Sequence, residues 1–243
     1  MNLFYQPLLT EGVLHLDADE SRHCVKVLRR QAGDALRITD GKGFFYDAII
    51  TQANDRQCVF RIEQQVAAAP PTAFIHIAVS PTKNADRIEW FVEKAVEIGV
   101  SRITLMECEH TERTYLKKDR LEKVAISAMK QSLKATLPVI DGLVPFQTVI
   151  GQTDTHGRFI AYVDQDNPDH LIDMPAAPSY LLLIGPEGDF SQAELTQALA
   201  AGFRKVSLGK SRLRTETAAL AGCHILNLLP PSRGAMAGKP SAH

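Results

Sequence analysis

The sequence predicts an α/β protein, with a small β-rich segment leading into a mostly parallel sheet that carries helices on it. Three observations support this reading. The first seventy residues alternate short β-type runs with turn signals. Ala67-Ala68-Ala69-Pro70-Pro71-Thr72 then breaks the chain, since paired prolines continue neither a ladder nor a helix. Beyond it, strand-like runs alternate with helical periodicity, the pattern of a parallel sheet with crossover helices. The expected domains are 1–70 and 73–232, with a disordered tail at 233–243.

In the first segment, Leu36 to Thr39 and Phe44 to Gln52 flank Asp40-Gly41-Lys42-Gly43, a hairpin signal, and Cys58 to Ile62 supplies a further strand. One helix is expected around Glu20 to Arg30. In the second segment the expected strands are Phe74 to Val79, Arg102 to Met106, Phe159 to Val163, Tyr180 to Ile184 and Lys205 to Leu208. The helices are better marked. Ile88, Phe91, Ala95 and Ile98 share a face before Gly99, a good helix-ending residue. Leu121, Val124, Ala125, Ala128, Met129 and Ser132 repeat that spacing before Pro138. Ser191-Gln192-Ala193-Glu194 is a capping box opening a helix that closes at Gly202, and a last helix spans Thr215 to Leu228 before Pro230-Pro231. Trp90, Phe44 and Phe45 are expected in the core.

Composition narrows the function classes. Of 243 residues, 45% are hydrophobic and 23% charged, ordinary globular usage with a real core to bury. The formal net charge of −1 leaves no global field for nucleic acid or anionic membrane, so any polyanion site must be a local patch. No apolar run approaches the roughly 20 residues of a membrane span. The opening MNLFYQPLLTEG lacks a basic start followed by an apolar stretch, so a secretory signal is not expected. Cys24, Cys58, Cys108 and Cys223 form no CxxC pair, which suggests neither a zinc site nor a disulfide framework and points to a reducing, cytosolic compartment. The histidines form no metal-ligand spacing; His15, His76, His110, His156, His170 and His224 read as structural or surface residues, and no metal is expected.

Two stretches carry chemistry. Leu181-Leu182-Leu183-Ile184 runs into Gly185-Pro186-Glu187-Gly188-Asp189-Phe190-Ser191, a glycine turn between a buried strand and a capped helix. In open α/β sheets such carboxyl-end turns bind ligands, because glycine lets a ligand approach the backbone. A second loop, Leu208-Gly209-Lys210-Ser211-Arg212-Leu213-Arg214-Thr215-Glu216, again joins a strand to a helix, and Arg204 to Arg214 holds five basic residues and no acidic one. Neither loop has the GxGxxG or GxxxxGK[ST] pattern of the common nucleotide folds.

GPEGDFS followed by LGKSRLRTETA resembles the RsmE family of SPOUT-class RNA methyltransferases. So do His23-Cys24-Val25-Lys26-Val27-Leu28-Arg29, Lys83, Glu93-Lys94-Ala95-Val96-Glu97-Ile98-Gly99-Val100, and Gln131-Ser132 with Leu137-Pro138, in the same order along nearly the whole chain. Three departures stand out. Asp189 replaces a second glycine, Arg212 adds a cation, and Lys134 stands where arginine is usual, which keeps charge but loses the bidentate fork. The resemblance implies methylation of N3 of a uridine in 16S ribosomal RNA, S-adenosylmethionine held in a C-terminal trefoil knot, a homodimer, and an N-terminal PUA-like β-barrel that grips RNA. The rival reading is a noncatalytic RNA-binding module whose cofactor pocket is spoiled by Asp189.

Cofactor contacts are expected from Leu183, Ile184, Gly185, Pro186, Glu187, Gly188, Ser207, Leu208, Gly209 and Leu213. Backbone groups would serve adenine and ribose, while Leu183 and Leu213 would form apolar walls. Glu187 either accepts from a backbone amide to rigidify its turn or touches substrate. Arg214 is the candidate that stabilises a developing uracil anion; Glu216, in a helix's first turn, is a candidate catalytic carboxylate or a dipole partner. RNA contacts are expected from Arg22, His23, Lys26, Arg29 and Arg30, aligned on one helix side, with Lys83 and Lys134. The stretch from Arg113 to Lys134, seven basic residues against two acidic, offers a second basic patch.

Overall fold

The computed structural model describes residues 2–152, 154–163 and 169–229, so the predicted tail lies outside the described residues. The chain divides into two compact units, Met1–Pro70 with Ala125–Leu137, and Pro71–Val124 with Pro138–His243.

The first unit is built on a four-stranded sheet in the order β1 (Leu3–Tyr5), β2 (Ala35–Thr39), β3 (Phe44–Gln52), β4 (Val59–Ala67). β1 joins β2 in parallel, and the rest is an antiparallel meander. The hairpin turn forms where the sequence expects it: Asp40 Oδ1 accepts from the Lys42 amide at 2.7 Å, and Gly41 and Gly43 adopt positive φ. Phe4, Leu16, Ile38, Ile50 and Phe60 fill the core beneath. The strip from Ala135 to Leu137 lies on this hairpin: Ala135 oxygen accepts from the Thr39 hydroxyl (3.0 Å) and the Gly43 amide (2.9 Å).

The expected helix over Glu20 to Arg30 is shorter and less regular. α1 (Ala18–Arg22) starts at Asp17, whose carboxylate caps the Glu20 amide at 2.8 Å, and passes into one π-type turn, His23–Val27. Arg29 then takes φ +56°, a left-handed conformation that ends helical geometry. Arg29 and Arg30 therefore leave the helix, and the predicted single cationic stripe does not form.

The second unit is a parallel six-stranded sheet, ordered β10 (Arg204–Val206), β8 (Gly157–Ala161), β9 (Ser179–Ile184), β5 (Phe74–Val79), β6 (Arg102–Glu107), β7 (Val139–Pro145). Leu181, Leu182 and Leu183 are all fully buried, because a parallel sheet is covered on both faces and its central strands are apolar throughout. β7 has no counterpart among the expected strands. Its Asp141-Gly142 pair is poor strand material and marks a register shift against β6, so the run lacks a strand's pattern.

The helices are α2 (Ala85–Ile98), α3 (Lys118–Gln131), α4 (Phe146–Ile150), α5 (Gln192–Ala200) and α6 (Thr215–Leu228). α2 is capped by Asn84 and ends at Gly99 with positive φ. α5 has the full capping box of Ser191 and Glu194. α6 lies tightly on β9: a Cβ on Gly222 would stand 2.3 Å from Leu182 Cδ2, so only glycine fits this crossing. Two aromatic expectations are corrected. Trp90 lies on the outer side of α2, opposite buried Ile88, Phe91, Val92 and Ala95, and Phe44 opens β3 at the sheet margin; both are exposed. Phe45 is half-buried, with the Arg37 guanidinium 4.5 Å from its ring centre.

Candidate functional site

Parallel strands place all their carboxyl ends at one sheet edge, which gathers the loops after β5, β6, β8, β9 and β10. The GPEGD turn is held from several sides there. Glu187 accepts from the Lys83 amide at 3.2 Å, linking it to the loop after β5. The carbonyl of Asp189 lies 3.0 Å from His110 Nδ1 in the loop after β6, and a Cβ on Gly188 would stand 3.4 Å from His110 Cβ. That His110 loop is fixed in turn, since the Glu109 amide donates to Glu194 Oε1 at 2.9 Å. Gly185 approaches Phe190 so closely that a Cβ would meet its ring at 3.1 Å. From sequence, His110 reads as an ordinary structural or surface residue; a lone histidine in a loop carries no signal of the turn it supports.

Asp189 takes φ +62°, the left-handed region where glycine is usual and aspartate is tolerated. Its Oδ1 accepts from the Phe190 amide at 2.8 Å. Burial pushes its carboxyl above the ordinary range, while the Phe190 amide, Arg212 and His110 pull the other way.

The second loop is shaped by Ser207 and Gly209. The Ser207 amide donates to Asp169 oxygen at 2.7 Å, the Leu171 amide donates back to Ser207 oxygen at 3.0 Å, and the Gly209 amide donates to Ser207 Oγ at 3.1 Å. Gly209 has φ +116°, accessible in practice only to glycine. Gly209 to Arg212 are exposed, and Ser207, Leu208 and Leu213 are half-buried. Leu183 and Ile184 sit within the sheet core, so the Leu183 side chain packs with Phe190 and Ile160 rather than forming an open wall. Pro186 is buried in its turn, and Glu187 and Gly188 are exposed.

Arg214 is exposed at the N-cap of α6, and Glu216 lies buried two residues on in the first turn, 6% exposed, with Oε1 3.7 Å from Arg87 Nε and Oε2 without a hydrogen-bond partner among the described residues. Lys83, Asn84, Ala85, Arg87, Arg113 and Glu187 line an open cleft beside the GPEGD turn. Arg113 reaches it by donating to the Lys83 carbonyl at 2.8 Å, and Lys83 Nζ lies 3.1 Å from Glu112. Sequence reasoning misses Arg87 and counts Arg113 only in the second basic patch, because neither belongs to a motif that places it beside the GPEGD turn.

The RNA candidates of the first unit differ in ion pairing. Arg22 pairs with Asp19 at 3.7 Å and Lys26 with Asp55 at 3.4 Å. His23 is exposed, its ring tilted against Phe4. Arg29, Arg30 and Lys134 have no carboxylate within salt-bridge distance among the described residues. In the expected second patch from Arg113 to Lys134, three of the seven basic residues are ion-paired: Lys118 with Glu122, Arg120 with Glu89, and Lys130 with Glu20.

A family model for an RNA methyltransferase domain matches residues 69–227, and one for an RNA methyltransferase PUA domain matches residues 16–63. The chain therefore belongs to the RNA methyltransferase family, with a PUA-like domain ahead of the methyltransferase domain. Its relatives place it more narrowly, in the RsmE group. The Ribosomal RNA small subunit methyltransferase E of Mycobacterium bovis is 26% identical over 240 residues, covering 93% of this chain and 91% of that protein. A probable rRNA-methyltransferase from Porphyromonas gingivalis superposes with a TM-score of 0.88 at 48% identity, covering 93% of this chain and 98% of that one. A Ribosomal RNA small subunit methyltransferase E from Neisseria gonorrhoeae, solved bound to S-adenosyl methionine, gives a TM-score of 0.81 at 26% identity over 92% of this chain and 95% of that one.

Proposed function

We infer that this protein uses S-adenosylmethionine to methylate N3 of a uridine in 16S ribosomal RNA of the small subunit. The observation that carries the reading is the meeting of two glycine loops, GPEGD and the Gly209 loop, at one edge of a parallel sheet in a chain of the RsmE group. The residues fit the cofactor. The turn at Gly185 and Gly188 and the left-handed Gly209 offer backbone rather than charge, as a neutral purine and ribose need.

When bound, the sulfonium supplies an already activated methyl group, so orientation accounts for much of the rate. Ionising uracil N3, roughly 2 units above neutral pH, costs about 2.7 kcal/mol, which a nearby cation lowers. Arg214 is that cation in our reading: it is exposed and at the cap of α6, and no carboxylate lies within salt-bridge distance among the described residues. Glu216, buried against Arg87, holds the α6 terminus with its charge at the positive end of the helix dipole. RNA is gripped by Arg29, Arg30 and Lys134 together with Arg22, His23 and Lys26 in the first unit, and by Lys83 in the second. We further propose a trefoil knot around the cofactor loops, a cytosolic setting, consistent with four free buried cysteines, and a homodimer. Leu228 and Trp90 present exposed apolar surface, and no helix among the described residues is long and apolar enough to cross a membrane.

The noncatalytic alternative rests on Asp189, and the geometry disfavours it, since the backbone keeps a left-handed φ of +62° and the carboxylate is turned onto the Phe190 amide. Calorimetry with S-adenosylmethionine, joined to mass mapping of ribosomal RNA from cells with and without the protein, tests the reading. Absence of cofactor uptake, or an unchanged nucleotide map, overturns it.

A further inference from the structure

We propose that Arg113 binds a phosphate of the substrate RNA in the cleft beside the GPEGD turn, and that the nearby Tyr115 ring stacks on a base of the same strand. This contact rests on the reading of ribosomal RNA as the substrate, and it lies entirely within the second unit.

Arg113 differs from an ordinary surface cation. Its Nε donates to the Tyr115 carbonyl at 3.1 Å and its Nη1 to the Lys83 carbonyl at 2.8 Å, so the half-buried guanidinium is fixed before any ligand arrives. Both anchors are neutral. Among the described residues no carboxylate lies within salt-bridge distance of it, whereas the other two cations of the cleft are paired, Lys83 with Glu112 at 3.1 Å and Arg87 with Glu216 at 3.7 Å. The two carbonyls engage two of the five guanidinium N–H groups, which leaves three in fixed directions for an anion. A planar fork of this kind matches phosphate geometry, and much of its ordering cost is met by folding.

The surroundings favour RNA over a small anion. The cleft encloses about 690 Å³ and opens to solvent, which gives room for a nucleotide whose strand must enter and leave. Tyr115 is 70% exposed although Arg113 holds its main chain, so its ring can meet a base. Unstacked bases of single-stranded RNA are held by aromatic rings and arginine in this way. Register with the cofactor edge comes through Lys83, whose carbonyl accepts from Arg113 while its amide donates to Glu187 of the GPEGD turn at 3.2 Å. A phosphate on Arg113 is thereby placed relative to that turn. Glu187 brings a negative charge to the same cleft, so the attraction comes from directed N–H groups rather than from net charge.

The experiment uses the full-length protein and small ribosomal subunits from cells that lack it. Subunit binding is measured at several salt concentrations, S-adenosylmethionine affinity by calorimetry on the protein alone, and methyl transfer in single turnover. Arg113→Ala should weaken subunit binding about tenfold, the scale of a hydrogen bond to a charged group, and lower the slope of log affinity against log salt by about 1. Arg113→Lys should keep the slope and lose affinity, since it keeps the charge without the fork. Tyr115→Ala should weaken binding about tenfold at an unchanged slope, because stacking releases no counterion. Cofactor affinity should stay within about twofold of wild type in all three. An unchanged slope in Arg113→Ala overturns the phosphate contact, and undiminished binding by Tyr115→Ala overturns the stack. Wild-type affinity in Arg113→Lys removes the fork whether or not Arg113→Ala folds. A fall in cofactor affinity that matches the fall in subunit affinity means that Arg113 only shapes its loop or meets the cofactor's own carboxylate, and overturns the assignment. If the wild type binds subunits with the expected Arg113 response yet transfers no methyl group, the phosphate site stands and the methyltransferase reading fails.

Discussion

Arg87 Nε stands 3.7 Å from Glu216 Oε1, so the first turn of α6 is tied to α2 by a carboxylate that is otherwise buried, with its second oxygen unpartnered. Removing the cation leaves a buried charge without compensation. Arg87 is more than a third exposed and the pair is long, which softens the effect relative to a fully buried ion pair. Arg87→Leu should lower stability by about 1–2 kcal/mol, less than the usual cost of breaking a buried pair. Glu216→Gln should cost less than that. Chemical denaturation of both variants checks the order; equal stability of Arg87→Leu and wild type would mean that solvent already screens Glu216.

The grip on RNA and the chemistry reside on different residues. Neutralising Arg29 and Arg30 together should weaken RNA binding and reduce the slope of log affinity against log salt by about 2, since each phosphate contact releases roughly one counterion. Cofactor affinity should not move. Binding isotherms at several salt concentrations decide it, and an unchanged slope removes both residues from the phosphate interface.

Arg214→Ala should show the reverse behaviour. RNA binding should be nearly retained while single-turnover methyl transfer falls about 10²–10³-fold, the range for deleting one donor to a developing anion. Normal turnover on saturating RNA would reassign Arg214 to phosphate contact.

Gly209→Val should abolish cofactor binding while the fold persists. The position has φ +116°, and among the described residues a Cβ there would have only His170 Nε2 nearby, at 3.9 Å, so the backbone rather than crowding is the obstacle. The loss arises from forcing a β-branched residue out of a left-handed backbone, which reshapes the exposed loop. Circular dichroism should match wild type as calorimetric uptake disappears. Undiminished affinity excludes the loop from the site.

Acid should destabilise the second unit through His76. The Thr104 hydroxyl donates its single proton to Asp141 Oδ2 at 2.5 Å, so it accepts from His76 Nε2, 2.7 Å away, which places a proton on Nε2. Burial, then Arg102, lowers the His76 pKa from 6.5 to about 4. Because the folded value lies below the unfolded one, the stability is fully present above pH 6.5 and is lost as pH falls toward 4, by about 3 kcal/mol in all. His76→Asn should flatten urea midpoints between pH 6.5 and 4.5. A wild-type midpoint that is already flat over that interval would show that His76 is not buried in its neutral form.

Much of this protein was legible in the amino-acid order because it rests on short-range chemistry. The Asp40-Gly41 hairpin, the Ser191 and Glu194 capping box and the span Thr215 to Leu228 depend on neighbours within one turn, and the structure forms each of them. The two glycine loops were legible for the same reason. Other features depend on partners far along the chain, and only the tertiary structure decided them. β7 exists because β6 offers it an edge, despite Asp141-Gly142. The strip Ala135–Leu137 joins the first unit because Thr39 and Gly43 bond its carbonyl. The helix after Asp17 turns into a π-type turn and releases Arg29 and Arg30. His110, Arg87 and Arg113 reach the site only once parallel strands have brought their carboxyl ends to one edge. Propensity acts over a few residues, whereas these pairings form only after distant segments close together, and local sequence does not specify which segments those are.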